Sequence, residues 1–343
     1  MINAHFSVAV RGAVSVWRAS LTFADALQQL NDPVALGNTL LPEIDRLLQL
    51  RSLTCVNVKA YAWNAPFVYL PKVFDHNELS ETPTGFLPVP NNEATLAARA
   101  SAIGCIAVLG SNTVSYGSEN DGALFVNLVV IPGESHQSEK SKGSMKGHTD
   151  GVWFPIRGER HPWDNRVAPS PDFVCLCALR NPKQVPTTVM PLSEVLAKLT
   201  PATVSELGIP QYNIGPQGTF RKRLREIFGS DVIVEDSQLL FWVEGQPWIR
   251  YSHSSARTAD DELSAASLAM DEFKAACLEC ASSHPLEPGD IVLVNNRLSL
   301  HGRAEVGEEH GEDSRWLLRT YGLDTTDLDA DQWHANSRYM LYP

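Results

Sequence analysis

The chain predicts a mixed α/β protein with a mainly β core, a double-stranded β-helix (jelly roll, cupin-like) with flanking helices. Three observations carry this. The segments run in the order helices, many short strand-like runs, one helical insert, then strands again. No Pro/Ser/Gly-rich linker divides the 343 residues. And Ala123–Ile131, Phe173–Leu179 and Ile291–Val294 read as strands within that order. About 150 residues per domain would suggest two domains, but a large all-β or mixed domain holds more. The reading is one domain, 1–343: helical support over 1–115, core over 120–323 with a helical insert around 258–283, and a tail over 324–343.

After a strand-like Phe6–Val10, residues up to about 55 have helical spacing, clearest over Thr22–Leu30 and Leu41–Leu50, where Pro42 lies near the start. Residues 61–90, rich in proline and aromatics, read as loop or short strands. Asn92 is placed to cap a helix running to Leu109. Ala123–Ile131 has strand composition and ends at Pro132-Gly133. Glu134–Lys146 is polar and reads as a mobile loop running into His148. Phe173–Leu179 is a continuous apolar run, hence a buried strand, and Pro186–Met190 is a short one. Val232–Val234 and Leu239–Val243 are strand-like, with a turn at Glu244–Pro247. Thr258–Ser283 is the longest helical stretch, with Thr258 as cap and Asp260, Asp261 and Glu262 at its positive end. Pro288-Gly289-Asp290 is a turn, Ile291–Val294 a strand, and Asn295-Asn296-Arg297 a second turn.

The formal charge of −12 argues against nucleic acid or an acidic membrane surface as partner. The basic cluster Arg221–Arg225 reads as a solvated helix face. Six cysteines show no disulfide framework, and the lone CxxC of Cys277 and Cys280 sits in a helical stretch, so packing is their expected role. The N-terminus is a poor signal peptide, and no apolar run reaches the roughly 18 residues of a membrane span. A soluble, cytoplasmic protein is expected.

The chemistry centres on Gly147-His148-Thr149-Asp150. Residues two apart in an extended segment point to one face, so His148 and Asp150 offer an imidazole and a carboxylate to one ion. His301, beyond the Asn295-Asn296-Arg297 turn, supplies the further histidine, with rivals in His253, His284, His310, His161 and His136, all in poorer contexts. Two histidines and one carboxylate with open positions point to a non-haem Fe(II) oxygenase rather than a closed structural zinc site.

With His148, Asp150, His301 and Arg315 in that order, the chain resembles the Fe(II)/2-oxoglutarate oxygenases, most of all the taurine dioxygenase and clavaminate synthase-like branch with its free-amino-acid hydroxylases. The resemblance covers roughly 120–323. It implies that His148, Asp150 and His301 hold Fe(II). Arg315, fourteen residues after His301, would bind the distal carboxylate of 2-oxoglutarate, for which a permanently charged, bidentate guanidinium is suited. Thr188 would hydrogen-bond the same co-substrate, with Thr187 as the alternative. Arg319, four residues further on, would take the substrate carboxylate. With O2, oxidative decarboxylation yields succinate, CO2 and the oxidant that removes a substrate hydrogen. Related halogenases lack the carboxylate that Asp150 provides, so a hydroxylase-type outcome is implied.

Arg250-Tyr251-Ser252-His253-Ser254 falls where arginine hydroxylases carry aspartates for a guanidinium. A strongly basic substrate is therefore disfavoured, and a neutral, apolar or less basic amino acid favoured, its amine meeting an acceptor in Ser118–Asp121. The expected function is oxidation of a C–H bond of a small amino acid or derivative, by hydroxylation, desaturation or ring closure, in specialised biosynthesis. The charge neither requires nor excludes a substrate tethered to a carrier protein. Two other readings stay open: a cupin-like metal enzyme not using 2-oxoglutarate, and a non-catalytic binding protein with a relic site.

Overall fold

The computed structural model describes residues 2–229, 232–259, 264–334 and 337–343. The N-terminal third is helical: α1 (Ile2–Ala19), α2 (Phe23–Gln29), α3 (Pro33–Gln49), α4 (Cys55–Asn64) and, beyond the strand β1 (Phe67–Leu70), α5 (Glu93–Val108). Helix α1 corrects the strand-like reading of Phe6–Val10. Phe6, Ala9, Val10, Ala13, Val14 and Trp17 are buried, which is helical spacing, while Val8 points to solvent. Asn92 caps α5 as expected, accepting from the Thr95 amide at 2.9 Å in a reciprocal capping box.

Short strands and helices then alternate. They are β2 (Asn112–Tyr116), β3 (Val126–Leu128), α6 (His136–Lys142), β4 (Met145–His148), β5 (Phe173–Arg180), β6 (Pro186–Pro191), α7 (Leu192–Leu196) and α8 (Pro201–Leu207). Next come β7 (Tyr212–Ile214), α9 (Gly218–Phe228), β8 (Val234–Ser237), β9 (Leu240–Val243), β10 (Gln246–Ile249), β11 (Ala256–Thr258) and α10 (Ala265–Glu279). The last are β12 (Ser282–Pro285), β13 (Ile291–Asn295), β14 (Ser299–Arg303), β15 (Trp316–Leu323) and β16 (Met340–Leu341). The protein is mixed α/β with a mainly β core.

The larger sheet runs β1-β13-β5-β15-β2-β16, with β3 also beside β15; a smaller one runs β12-β6-β14-β4. The pleat gives the larger sheet two faces. On β5, Phe173, Cys175, Cys177 and Leu179 pack among the N-terminal helices, while Val174, Leu176 and Ala178 face a second core with Trp153 and Phe154. Burial on both faces is why this strand reads as an unbroken apolar run. On β15, Trp316 and Leu318 face the helices, and Leu317 and Tyr321 face inward. Each large apolar side chain so buried contributes roughly 1.5–3 kcal/mol.

Four sequence expectations change. The Glu134–Lys146 loop contains α6, whose N-terminus is capped by Ser135 accepting from Ser138 N. Of the Ala123–Ile131 run only Val126–Leu128 is paired, against β15. The helical insert is shorter than expected: Ser264 caps α10, and Thr258 lies in β11, paired with Tyr212. Asp260, Asp261 and Glu262, expected at its positive end, lie outside the described residues. The tail adds β16 to the large sheet, parallel to β2. Among the described residues no helix is long and apolar enough to cross a membrane.

Candidate metal centre and active site

Strand β4 ends at His148, and β14 runs antiparallel to it with His301 directly opposite. Directly opposed residues share a face, and the two imidazole centroids are 4.4 Å apart. Asp150, two residues on, turns its carboxylate between them. Its Oδ1 lies 3.4 Å from His148 Nε2 and 3.8 Å from His301 Nε2. All three side chains are buried, and one ligand atom from each lies within 4.8 Å of the others. Two nitrogens and one oxygen converging from one side fit a divalent iron and leave further coordination positions free. His148 Nδ1 is 2.9 Å from the Lys146 carbonyl. A proton on Nδ1 satisfies that contact and leaves the Nε2 lone pair directed inward. Burial, aided by His148, pushes His301 down to about 3, which keeps it neutral as a ligand must be. Burial works against the Asp150 carboxylate, but contacts with His148, His301 and Arg319 outweigh it and hold the group well below the usual range.

Arg315 immediately precedes β15. It is buried, its Nε has no hydrogen-bond partner, and Nη2 donates to Thr187 Oγ1 at 2.6 Å. Among the described residues no carboxylate pairs with it. Burial, with Arg303 nearby, pushes its pKa down to about 9. The threonine in contact is Thr187 rather than Thr188. In the β6–β14 register Thr187 opposes Arg303 and Val189 opposes His301, whereas Thr188 opposes Gly302. Thr187 thus shares the histidine's face, and Thr188 occupies the alternate position. Arg319, on the inward face of β15, lies 2.7 Å from Glu119 Oε2 and 3.5 Å from Asp150 Oδ2. Burial opposes its charge, but Glu119, Tyr321 and Asp150 together raise its pKa. Buried Glu119 also accepts from Thr219 Oγ1 at 2.8 Å and from the Tyr321 hydroxyl at 3.0 Å.

Residues 84–321 match the model of the taurine catabolism dioxygenase TauD, TfdA family. The chain belongs to this family. Among curated proteins it is similar to the L-asparagine oxygenase of Streptomyces coelicolor, 27% identical over 61% of this chain and 56% of that one. It is also similar to the enduracididine beta-hydroxylase of Streptomyces hygroscopicus, 24% identical over 71% and 72%. The match thus spans little more than half the length of the first relative. In fold it is similar to the non-heme iron oxygenase OrfP in complex with Fe, succinate and (3S)-hydroxy-L-Arg. That likeness has a TM-score of 0.73 at 20% identity, covering 98% of this chain and 97% of that one. Asparagine oxygenase with Fe(II), 3-hydroxyasparagine and succinate gives 0.71 at 20% identity, over 94% and 98%.

In this TauD/TfdA-family chain the backbone around Asp150 is held by residues that sequence reading did not single out. The Asn296 side chain accepts from the Asp150 amide at 2.8 Å and donates to the Asp150 carbonyl at 2.9 Å and to Pro171 O at 3.0 Å. Gln217 accepts from Gly151 N at 2.8 Å and donates to Thr149 O at 3.1 Å. Asn296 had been legible only as a turn former. It is a positioning residue, and Asn296→Ala is expected to weaken iron binding by about 10–100-fold. Anaerobic Fe(II) titration of the folded variant checks this, because a purely structural role would lower the melting temperature without moving iron affinity. Three of the rival histidines have other neighbours: His161 packs against Trp153, His284 against Phe67, and His253 approaches Lys146 Nζ at 3.1 Å.

Proposed function

We propose that this chain is a non-haem Fe(II)/2-oxoglutarate-dependent oxygenase that oxidises a C–H bond of a small amino acid or amino-acid derivative. The observation that carries it is the pairing of the His148, Asp150 and His301 group with a buried guanidinium, Arg315, that has no carboxylate partner among the described residues. A buried charge without a counterion is costly, and a bound anion relieves that cost. His148, Asp150 and His301 would hold the iron. Arg315, with Thr187 in place of the expected Thr188, would hold the distal carboxylate of 2-oxoglutarate. Iron with O2 and 2-oxoglutarate supplies the oxidation and releases succinate and CO2.

The protein's own residues set the substrate's position. Arg319 takes its carboxylate, and Glu119, within the expected Ser118–Asp121 stretch, accepts its amine, so the existing Arg319–Glu119 pair mirrors the two charges of an amino acid. The relatives' names, with asparagine, enduracididine, lysine and ornithine or arginine as substrates, support this class. Where a basic side chain would need carboxylates, Ser252 and Ser254 contact each other at 3.2 Å. The outcome spans hydroxylation, desaturation and ring closure, on a free or carrier-tethered substrate, and composition supports a cytoplasmic setting. We read 1–343 as one oxygenase domain and its two main sheets as the walls of the double-stranded β-helix, since the site lies where β4 and β14 approach β15.

The test is anaerobic addition of Fe(II) and 2-oxoglutarate to metal-free protein. A weak visible charge-transfer band is expected, and Arg315→Ala raises the 2-oxoglutarate needed for half-saturation by about 10–100-fold, the scale of a charge-assisted contact. Iron binding without the band would overturn the 2-oxoglutarate reading in favour of a cupin-like enzyme. No iron binding would leave a relic site.

A further inference from the structure

Two adjoining cavities meet at His148. The inner one is lined by Lys140, Asp150, Arg303 and Arg319 among its charged residues. The outer one opens past Lys140, Lys146, Arg221 and His253, with Ser252, Ser254 and Ser255 as neutral wall. Asp150 is the one carboxylate that lines either cavity among the described residues, in a chain whose net charge is −12. The cationic lining therefore runs against the protein's overall sign.

Of the cations along the two cavities, Arg319 alone forms an ion pair among the described residues. At the inner end Arg319 is paired with Glu119 at 2.7 Å, and Asp150 is engaged with the histidines. Arg303 donates to the Lys140 and Gly143 carbonyls at 3.0 and 2.6 Å. Toward the mouth, Lys140, Lys146 and Arg221 form no ion pair among the described residues. Lys146 Nζ has only a neutral neighbour, His253 Nε2, at 3.1 Å. Lys140 Nζ stands 3.9 Å from the position that a Cβ on Gly218 would take, at the start of α9. Its side chain touches the solvent of the cavity, yet the surrounding protein still lowers its pKa by desolvation. An anion placed beside it would relieve that cost.

We propose that the substrate is an α-amino acid whose side chain ends in a carboxylate, held by Lys140 and Lys146 at the mouth end of the cavity. This deepens the oxygenase reading and rests on it. Arg319 and Glu119 anchor the backbone groups at the inner end, the reacting carbons pass the His148, Asp150 and His301 group, and the side-chain carboxylate reaches the lysines. The substrate class is therefore acidic, where sequence reading favoured a neutral or apolar one. Lys140 and Lys146 are its specificity determinants.

The experiment uses the anaerobic Fe(II)/2-oxoglutarate complex of the full chain and a panel of L-aspartate, L-glutamate, L-asparagine, L-glutamine, L-leucine and L-arginine. Perturbation of the visible band reports binding, and calorimetry reads the same panel without relying on the band. At least one dicarboxylic amino acid is expected to bind about tenfold or more tightly than its amide. Lys140→Gln and Lys146→Gln weaken that acid but not the amide, and Lys140→Glu shifts preference toward L-arginine. Thermal melting confirms that the variants fold, as substitutions of exposed lysines should. Equal or tighter binding of the amides or of L-leucine overturns the proposal, as does dicarboxylate binding that ignores both lysines. Lysine-dependent binding of pantetheine 4′-phosphate without dicarboxylate binding also overturns it. In these cases a normal band leaves the oxygenase reading standing. A missing band brings down that reading, and absence of dicarboxylate binding by calorimetry then brings down this one separately.

Discussion

Under the proposed oxygenase reading, Asp150→Ala is expected to abolish the charge-transfer band and to lower 2-oxoglutarate turnover on the order of a thousandfold or more, about 4 kcal/mol of transition-state stabilisation. The carboxylate does three things that alanine does not. It would give the metal an anionic oxygen between the imidazoles of His148 and His301, 3.4 and 3.8 Å from their Nε2 atoms. It offsets the metal's positive charge in a buried site where solvent does not. And it lies 3.5 Å from Arg319, whose guanidinium would otherwise face the metal with Glu119 alone as counterion. Because Asn296 grips the backbone amide and carbonyl of residue 150 rather than its side chain, the loop keeps its course in the variant. The loss is therefore chemical and not a collapse of the loop. Asp150→Glu separates the two explanations: it keeps the charge on a longer arm and is expected to retain iron and part of the turnover. An Asp150→Ala protein with an undiminished band would remove Asp150 from the metal centre.

The convergence of His148 and Asp150 was legible because metal ligation favours particular residue types and an extended chain repeats every second residue, which puts both on one face. His301 followed from a turn and a strand that bring it back across β4. The threonine shows where such reading stops. Thr187 and Thr188 are adjacent and chemically alike, and a one-residue shift exchanges their faces; only the pairing of β6 with β14 places Thr187 on Arg315. At the N-terminus Phe6–Val10 is too short to separate a period of two from one of 3.6, and the buried positions at Ala13, Val14 and Trp17 decide for a helix. The Glu134–Lys146 stretch read as loop because it is polar, yet a polar helix needs only a cap and a place to rest, and Ser135 provides the cap. The side chains of Glu119, Gln217 and Asn296 act through partners at least 100, 66 and 125 positions distant, a relation that no local pattern encodes.

Asp172→Ala is expected to cost about 3–5 kcal/mol of stability, out of the roughly 5–15 kcal/mol that holds a typical protein folded. Its carboxylate is fully buried. It accepts from Arg297 Nε at 2.5 Å, Arg157 Nη2 at 2.9 Å and the Asp324 amide at 2.8 Å. Removing it strands the Arg297 guanidinium, whose side chain is 4% exposed and whose Nη1 already has no partner. The stacking of Arg297 on Trp248, at 4.4 Å, does not replace a counterion. Calorimetric melting should show a fall of roughly 5–10 °C. The double variant Asp172→Leu with Arg297→Met should recover much of it, because it removes both charges together. The effect also reaches the metal. Arg297 closes the turn that carries Asn296, and the Asn296 amide itself donates to the Asp172 carbonyl at 2.8 Å. Loosening that turn relaxes the grip on Asp150, so Asp172→Ala should lower iron affinity as well as melting temperature. If melting falls while iron affinity is unchanged, the Asp172–Arg297 pair supports the fold alone, and Asn296 holds Asp150 without its help.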